Sequence, residues 1–224
     1  MIGKEILDYD SKAELTDNKF TEITADRTSI EDTKSYWNRV FDVEKEWISE
    51  DELWELMFYC DEAEFDFSDV ADEKSKAIIE SFDNVKWETM DKAARLELIK
   101  ELANCIGESL GIRDLPEIEL VRFDDDCFGY YSERGNYIAI NTEYWKDPRD
   151  VIDTIAHEMR HAYQRFRADV CENKQDEIYK FNFEHYISPE CDEHGKYVNF
   201  MDYYLQYIEV EARAYAKEFT REVA

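Results

Sequence analysis

Thr154-Ile155-Ala156-His157-Glu158-Met159-Arg160-His161-Ala162-Tyr163-Gln164 is the stretch on which the reading of this chain turns. At its centre stands His-Glu-x-x-His. Residues four apart on a helix lie one turn above each other on the same face, so His157 and His161 can offer two imidazoles to one zinc ion. Glu158, beside the first histidine, can act as general base on a water activated by that ion and later return the proton to a leaving amine, while the metal polarises the scissile carbonyl. The spacing therefore predicts metal-assisted amide hydrolysis with one zinc ion per chain. The chain has only four histidines, which makes this register an uncommon coincidence.

The flanks support a helical setting. Asp147-Pro148-Arg149-Asp150 places an aspartate where it can cap free amides, a proline at the first helical position, and a second acid three residues after the cap. A helix is predicted from there through His161. Upstream, Ile118, Leu120 and Val121 and then Tyr137, Ile138 and Ile140 alternate as strands do, the second run following the turn-like Glu133-Arg134-Gly135-Asn136. Two or three strands follow, at least two forming a hairpin. Further upstream, Ala93, Leu96, Ile99, Leu102, Ala103, Ile106 and Leu110 keep a three-and-four rhythm that ends at Gly111, which predicts a helix from Met90. Downstream, Cys171 to Tyr197 reads as polar and irregular, and Met201, Tyr204, Leu205, Ile208, Ala212, Tyr215, Ala216 and Phe219 predict one last helix from Val198 to Thr220. The order is helix, hairpin, helix, loop, helix, an α+β fold. Strands and helices do not alternate and no Gly-rich phosphate loop exists, so a doubly wound sheet is excluded.

The last helix carries Glu209-Val210-Glu211-Ala212-Arg213-Ala214-Tyr215-Ala216. His-Glu-x-x-His with a downstream Glu-x-x-Ala resembles the gluzincin metallopeptidases, and the two strings together are similar to minimal bacterial and phage-associated zincins, including the ImmA/IrrE-type group. The resemblance covers about residue 92 to the end. It implies a zincin-like domain, a small twisted sheet packed on the motif helix and the C-terminal ligand helix, with His157, His161 and Glu209 as zinc ligands and Glu158 as general base. Glu211 competes with Glu209, since two residues along a helix turn a side chain by about 200°, and the motif spacing favours Glu209. Arg160 puts a charge where the strict zincin pattern prefers none. The stretch between the motifs is longer than in the smallest relatives and holds His185, His194, Asp192 and Asp202 as alternative ligands. The resemblance also implies an edge strand that pairs with extended substrate, here Cys127-Phe128-Gly129-Tyr130-Tyr131-Ser132, with Gly129, Tyr130 and Tyr131 as the substrate-binding residues. Tyr203, Tyr204, Tyr207, Tyr215, His185 and His194 are candidates for stabilising the oxyanion, and Asp153 and Asp202 for orienting a zinc-bound histidine. Cys127 reads as a packed thiol outside the site.

Composition sets the outer bounds. With 224 residues, 44% hydrophobic and 15% aromatic, the chain can fill a core. Its 27 basic and 55 acidic residues give a net charge of −28, which argues against nucleic-acid and membrane partners; the polypeptide substrate that the motifs imply would fit that charge as a basic protein. Acidic residues crowd the first third, where Ser49-Glu50-Asp51-Glu52 is interleaved with Trp47, Leu53, Trp54, Leu56, Met57 and Phe58. Residues 1–88 are therefore expected to be an acidic, mainly helical docking or regulatory region, and residues 89–224 the zincin-like domain. Five scattered cysteines without a Cys-x-x-Cys pair indicate reduced thiols, and the opening residues lack a signal peptide's apolar run, so a cytoplasmic protein is expected. A competing function follows from the charge alone: an acidic interaction or decoy protein whose zincin-like domain is catalytically silent.

Overall fold

The structure is a computed structural model, and it describes residues 48–58, 62, 65–67, 70–123, 127–194 and 196–221. Among these residues are eight α-helices and one three-stranded sheet, an α+β composition. The acidic segment before residue 48 lies outside the described residues. The described residues divide into two compact units, one holding residues 65–166 and 212–221, the other residues 48–62 and 167–211.

In the first unit, α2 (Glu73–Ile79) and α3 (Asn84–Thr89) precede the long α4 (Lys92–Leu110). The start of α4 is set by Asp91, whose carboxylate accepts from Ala94 N, and its end by Gly111 at φ 70°, where a left-handed residue lets the chain turn off the helix. Its apolar face of Ile99, Leu102 and Ile106 is buried with Ile152, Ile155 and Met159. Ile78, Ile79, Phe82 and Trp87 belong to the same cluster, although they precede the boundary expected at residue 88.

The sheet consists of β1 (Glu117–Val121), β2 (Gly129–Ser132) and β3 (Tyr137–Asn141), in the order β1-β3-β2. The expected hairpin is β2–β3, antiparallel, with Tyr131 opposite Ile138; β1 runs parallel to β3. Asn136 takes φ 46° in the hairpin turn, a conformation asparagine tolerates. From the sheet the chain enters α5 (Pro148–Val170). Asp147 caps it as the sequence predicts, its carboxylate accepting from Arg149 N at 2.9 Å, and the helix continues well past His161.

The second unit corrects two expectations. Cys171 to Tyr197 is not wholly irregular: α6 (Lys174–Glu184) forms there, capped by Asn173, which accepts from Asp176 N. Nor is the C-terminal helix continuous from Val198, since α7 (Phe200–Tyr204) and α8 (Tyr207–Thr220) are separated at Leu205–Gln206. Gln206 is fully buried and holds both backbone groups of Ile187, accepting from its N at 2.7 Å and donating to its O at 2.8 Å. The first described helix, α1 (Glu50–Phe58), opens on a capping box in which Glu52 accepts from Ser49 N and Oγ, and it buries Leu53, Leu56 and Met57. No described helix is long and apolar enough to cross a membrane.

Candidate metal centre

Two candidate ligands come from α5. His157 and His161 stand one turn apart, with their Nε2 atoms 3.0 Å from each other. Two nitrogens on one tetrahedral zinc, each about 2.0–2.1 Å from the metal, are separated by about 3.3 Å, so the rings already converge on one point. His161 is oriented from behind: its Nδ1 lies 2.8 Å from Gln164 Oε1, one helical turn on. A glutamine oxygen only accepts, so Nδ1 carries the proton there and Nε2 keeps its lone pair for a metal.

The third residue comes from α8. One ligand atom from each of His157, His161 and Glu209 falls within 4.8 Å of the others, a group able to hold a metal ion. Glu209 is almost completely buried, and its Oε1 accepts from Tyr186 Oη at 2.7 Å. Glu211 is buried as well but accepts from Tyr179 Oη at 2.7 Å and is not in the group. The two glutamates thus meet different tyrosines, as a rotation of about 200° between them requires. Two imidazoles and a carboxylate on two helices are a donor set that suits a zinc ion with an open fourth position.

Glu158, adjacent to His157, is buried and tied to the sheet. Its Oε2 accepts from Tyr131 N of the edge strand β2 at 2.8 Å. This amide donates to Glu158 rather than across the ladder to β3. On the same strand Gly129 O accepts from Cys127 Sγ at 3.0 Å. The side chains of the expected substrate strand are engaged within the fold: Tyr130 Oη pairs with Tyr137 Oη at 3.2 Å, and Tyr131 Oη donates to Asn136 Oδ1 at 3.2 Å. Gly129 also has a structural reason to be glycine, because a Cβ there would stand 2.6 Å from Thr154 Cγ2 and 2.7 Å from Ala139 O.

The alternative ligands lie elsewhere among the described residues. His185 donates from Nδ1 to Phe181 O at 2.9 Å and packs its ring against Trp54 and Phe181. His194 is exposed beside Glu193, and Asp192 accepts from the backbone of His194 and Lys196. Of the oxyanion candidates, Tyr207 Oη bonds Gln175, and Tyr215 is buried against Phe67 and Phe219. Burial raises the pKa of Tyr215 well above that of a free phenol. Arg160, the charge inside the motif, is buried with its guanidinium over the rings of Phe67, Tyr163 and Tyr215, which accounts for a cation on an apolar face of the helix. Burial raises the carboxyl pKa of Asp153, and the neighbouring His157 acts the other way.

Two contributors escaped sequence reasoning. Gln164 had a readable signal, a polar residue one turn beyond a histidine ligand on the same face; Tyr186 had none, since it meets Glu209 only through the fold. No protein-family model, curated protein or solved structure matches this chain. The gluzincin resemblance therefore rests on the residues of the two motifs themselves.

Proposed function

We propose that this chain is a zinc-dependent metalloendopeptidase of gluzincin type. The observation that carries the reading is the convergence of His157, His161 and Glu209 within 4.8 Å, beside a buried glutamate tied to a sheet edge. A zinc ion held there would supply Lewis-acid polarisation of a peptide carbonyl and make water a stronger acid. Gln164 orients His161, and Tyr186 orients Glu209. Tyr131 N–H fixes Glu158 through Oε2, which leaves Oε1 to take a proton from the attacking water and deliver it to the departing amine. The β2 edge at Gly129, Tyr130 and Tyr131 would receive an extended polypeptide, which would pair with Gly129 O in exchange for the bond now made by Cys127, while Tyr131 N–H stays on Glu158.

The test is metal content and turnover on the same preparation. The wild-type chain is expected to carry one equivalent of zinc and to cleave peptide substrates. Glu158→Gln should keep the zinc and lose cleavage, and the double change His157→Ala/His161→Ala should lose both. A wild-type chain that takes up no zinc after reconstitution, or a Glu158→Gln chain that still cleaves, overturns the proposal.

A further inference from the structure

The second unit carries an exposed apolar ledge that the catalytic reading does not use. Seven large apolar side chains are exposed among the described residues, and four of them, Tyr197 (39%), Val198 (61%), Phe200 (42%) and Met201 (57%), fall within five consecutive positions. Scattered exposed apolar residues need no explanation, whereas a contiguous set does. The segment is also held in place. Tyr197 bridges to Cys191, Val198 N donates to Glu190 O at 2.9 Å, and Asn199 accepts from Glu190 N at 2.7 Å while donating to Ser188 O at 2.9 Å.

A row of rings leads from the ledge to Glu209. Tyr186, whose hydroxyl donates to Glu209, meets Tyr203 edge-on at 6.3 Å; Tyr203 meets Phe200 at 6.2 Å, and Phe200 meets Tyr197 at 5.4 Å. Its surroundings have one dominant sign. Between residues 188 and 204 stand Glu190, Asp192, Glu193 and Asp202 against the single basic Lys196, on a chain whose net charge is −28. An apolar surface with an acidic rim complements a segment in which basic and apolar residues are interspersed, and it repels acidic segments and anionic lipid.

We infer that Tyr197, Val198, Phe200 and Met201 form a docking surface for a cationic, apolar-containing polypeptide segment. Taking that segment to be part of the substrate rests on the peptidase reading; the binding itself does not. The experiment uses the full chain carrying Glu158→Gln, so that binding is read without cleavage. Fluorescence anisotropy follows a labelled peptide alternating lysine and leucine, beside one alternating glutamate and leucine. The lysine peptide is expected to bind and the glutamate peptide not to bind. Val198→Glu/Met201→Glu, both at exposed positions, is expected to weaken the lysine peptide at least tenfold with an unchanged circular dichroism spectrum. Adding two carboxylates would strengthen any unspecific attraction to a cation, so a loss identifies apolar contact. Unchanged or tighter binding by the double variant overturns the proposal, as does equal binding of the glutamate peptide. A concentration-dependent dimer of the wild type that disappears in the double variant also overturns it, because the ledge would then serve self-association. Zinc content is measured in parallel, so a failed metal centre and a failed ledge give separate results.

Discussion

Gln164→Met gives the most direct test of how the metal centre is held. The side chain of Gln164 is fully buried, and its Oε1 lies 2.8 Å from His161 Nδ1. Methionine keeps nearly the same length and volume but offers no comparable acceptor. Two responses are open to His161. If Nδ1 keeps its proton, a buried donor loses this acceptor, at a cost of about 1–3 kcal/mol. If the proton moves to Nε2, the lone pair that faces the metal is lost and must be restored on binding. Either response falls on zinc affinity, and outer-shell substitutions of this kind cost about 10–100-fold, equivalent to about 1.4–2.7 kcal/mol. The assay is competition for zinc with a chromogenic chelator, with urea unfolding of the metal-free chain alongside. Gln164→Glu serves as the contrasting variant, because a carboxylate accepts the same proton and should hold zinc at least as tightly as the wild type. A Gln164→Met chain whose zinc affinity stays within about threefold of wild type would refute the assignment of Gln164 as the orienting partner.

Two further outcomes follow from the same geometry. Tyr186→Phe removes the hydroxyl on Glu209 and should weaken zinc binding about tenfold, whereas Tyr179→Phe, which removes the matching hydroxyl on Glu211, should leave it unchanged; the reverse order in a chelator competition would make Glu211 the ligand. Gly129→Ala forces a methyl to within 2.6 Å of Thr154 Cγ2 and 2.7 Å of a backbone oxygen, so it should destabilise the fold by about 1–3 kcal/mol. For a chain of this size that lowers the melting temperature by roughly 2–4 °C per kcal/mol, and an unchanged melting temperature would show that β2 moves freely off α5.

What the sequence makes legible is what neighbours in the chain determine. The cap at Asp147, the proline after it and the one-turn spacing of His157 and His161 all act within a few residues, and all three appear in the structure as the spacing predicts. The left-handed stop at Gly111 is equally local. By contrast, alternation in 117–121 announces a strand but carries no information on its partner, so the parallel pairing of β1 with β3, which skips β2 in the sequence, was not readable. Helix α6 hid behind its charges: Lys174-Gln175-Asp176-Glu177 looks like loop, and the buried Asp176 is satisfied by a two-pronged ion pair with Arg167, nine residues earlier, and by the backbone N–H of Glu172. The interruption before α8 left no mark either, since apolar spacing continues through Leu205 and the cause is a buried glutamine bonded to a distant strand of backbone.

The candidate centre divides along the same line, and the division explains why the third candidate ligand needed two kinds of argument. The histidine pair is one turn of one helix, so its geometry is fixed once the helix exists. Glu209 and Glu211 are alike in every local respect: both are acidic, both are buried, and each accepts from a tyrosine hydroxyl at 2.7 Å. Composition and burial therefore cannot choose between them. Direction can, because a helix turns about 200° over two residues and allows only one of the pair to face a given point. Motif spacing favours Glu209, and its carboxylate is the one grouped with His157 and His161. Glu211 then has a separate task, anchoring α8 to α6 through Tyr179, so its replacement should lower stability while leaving the histidine pair and its partner carboxylate in place.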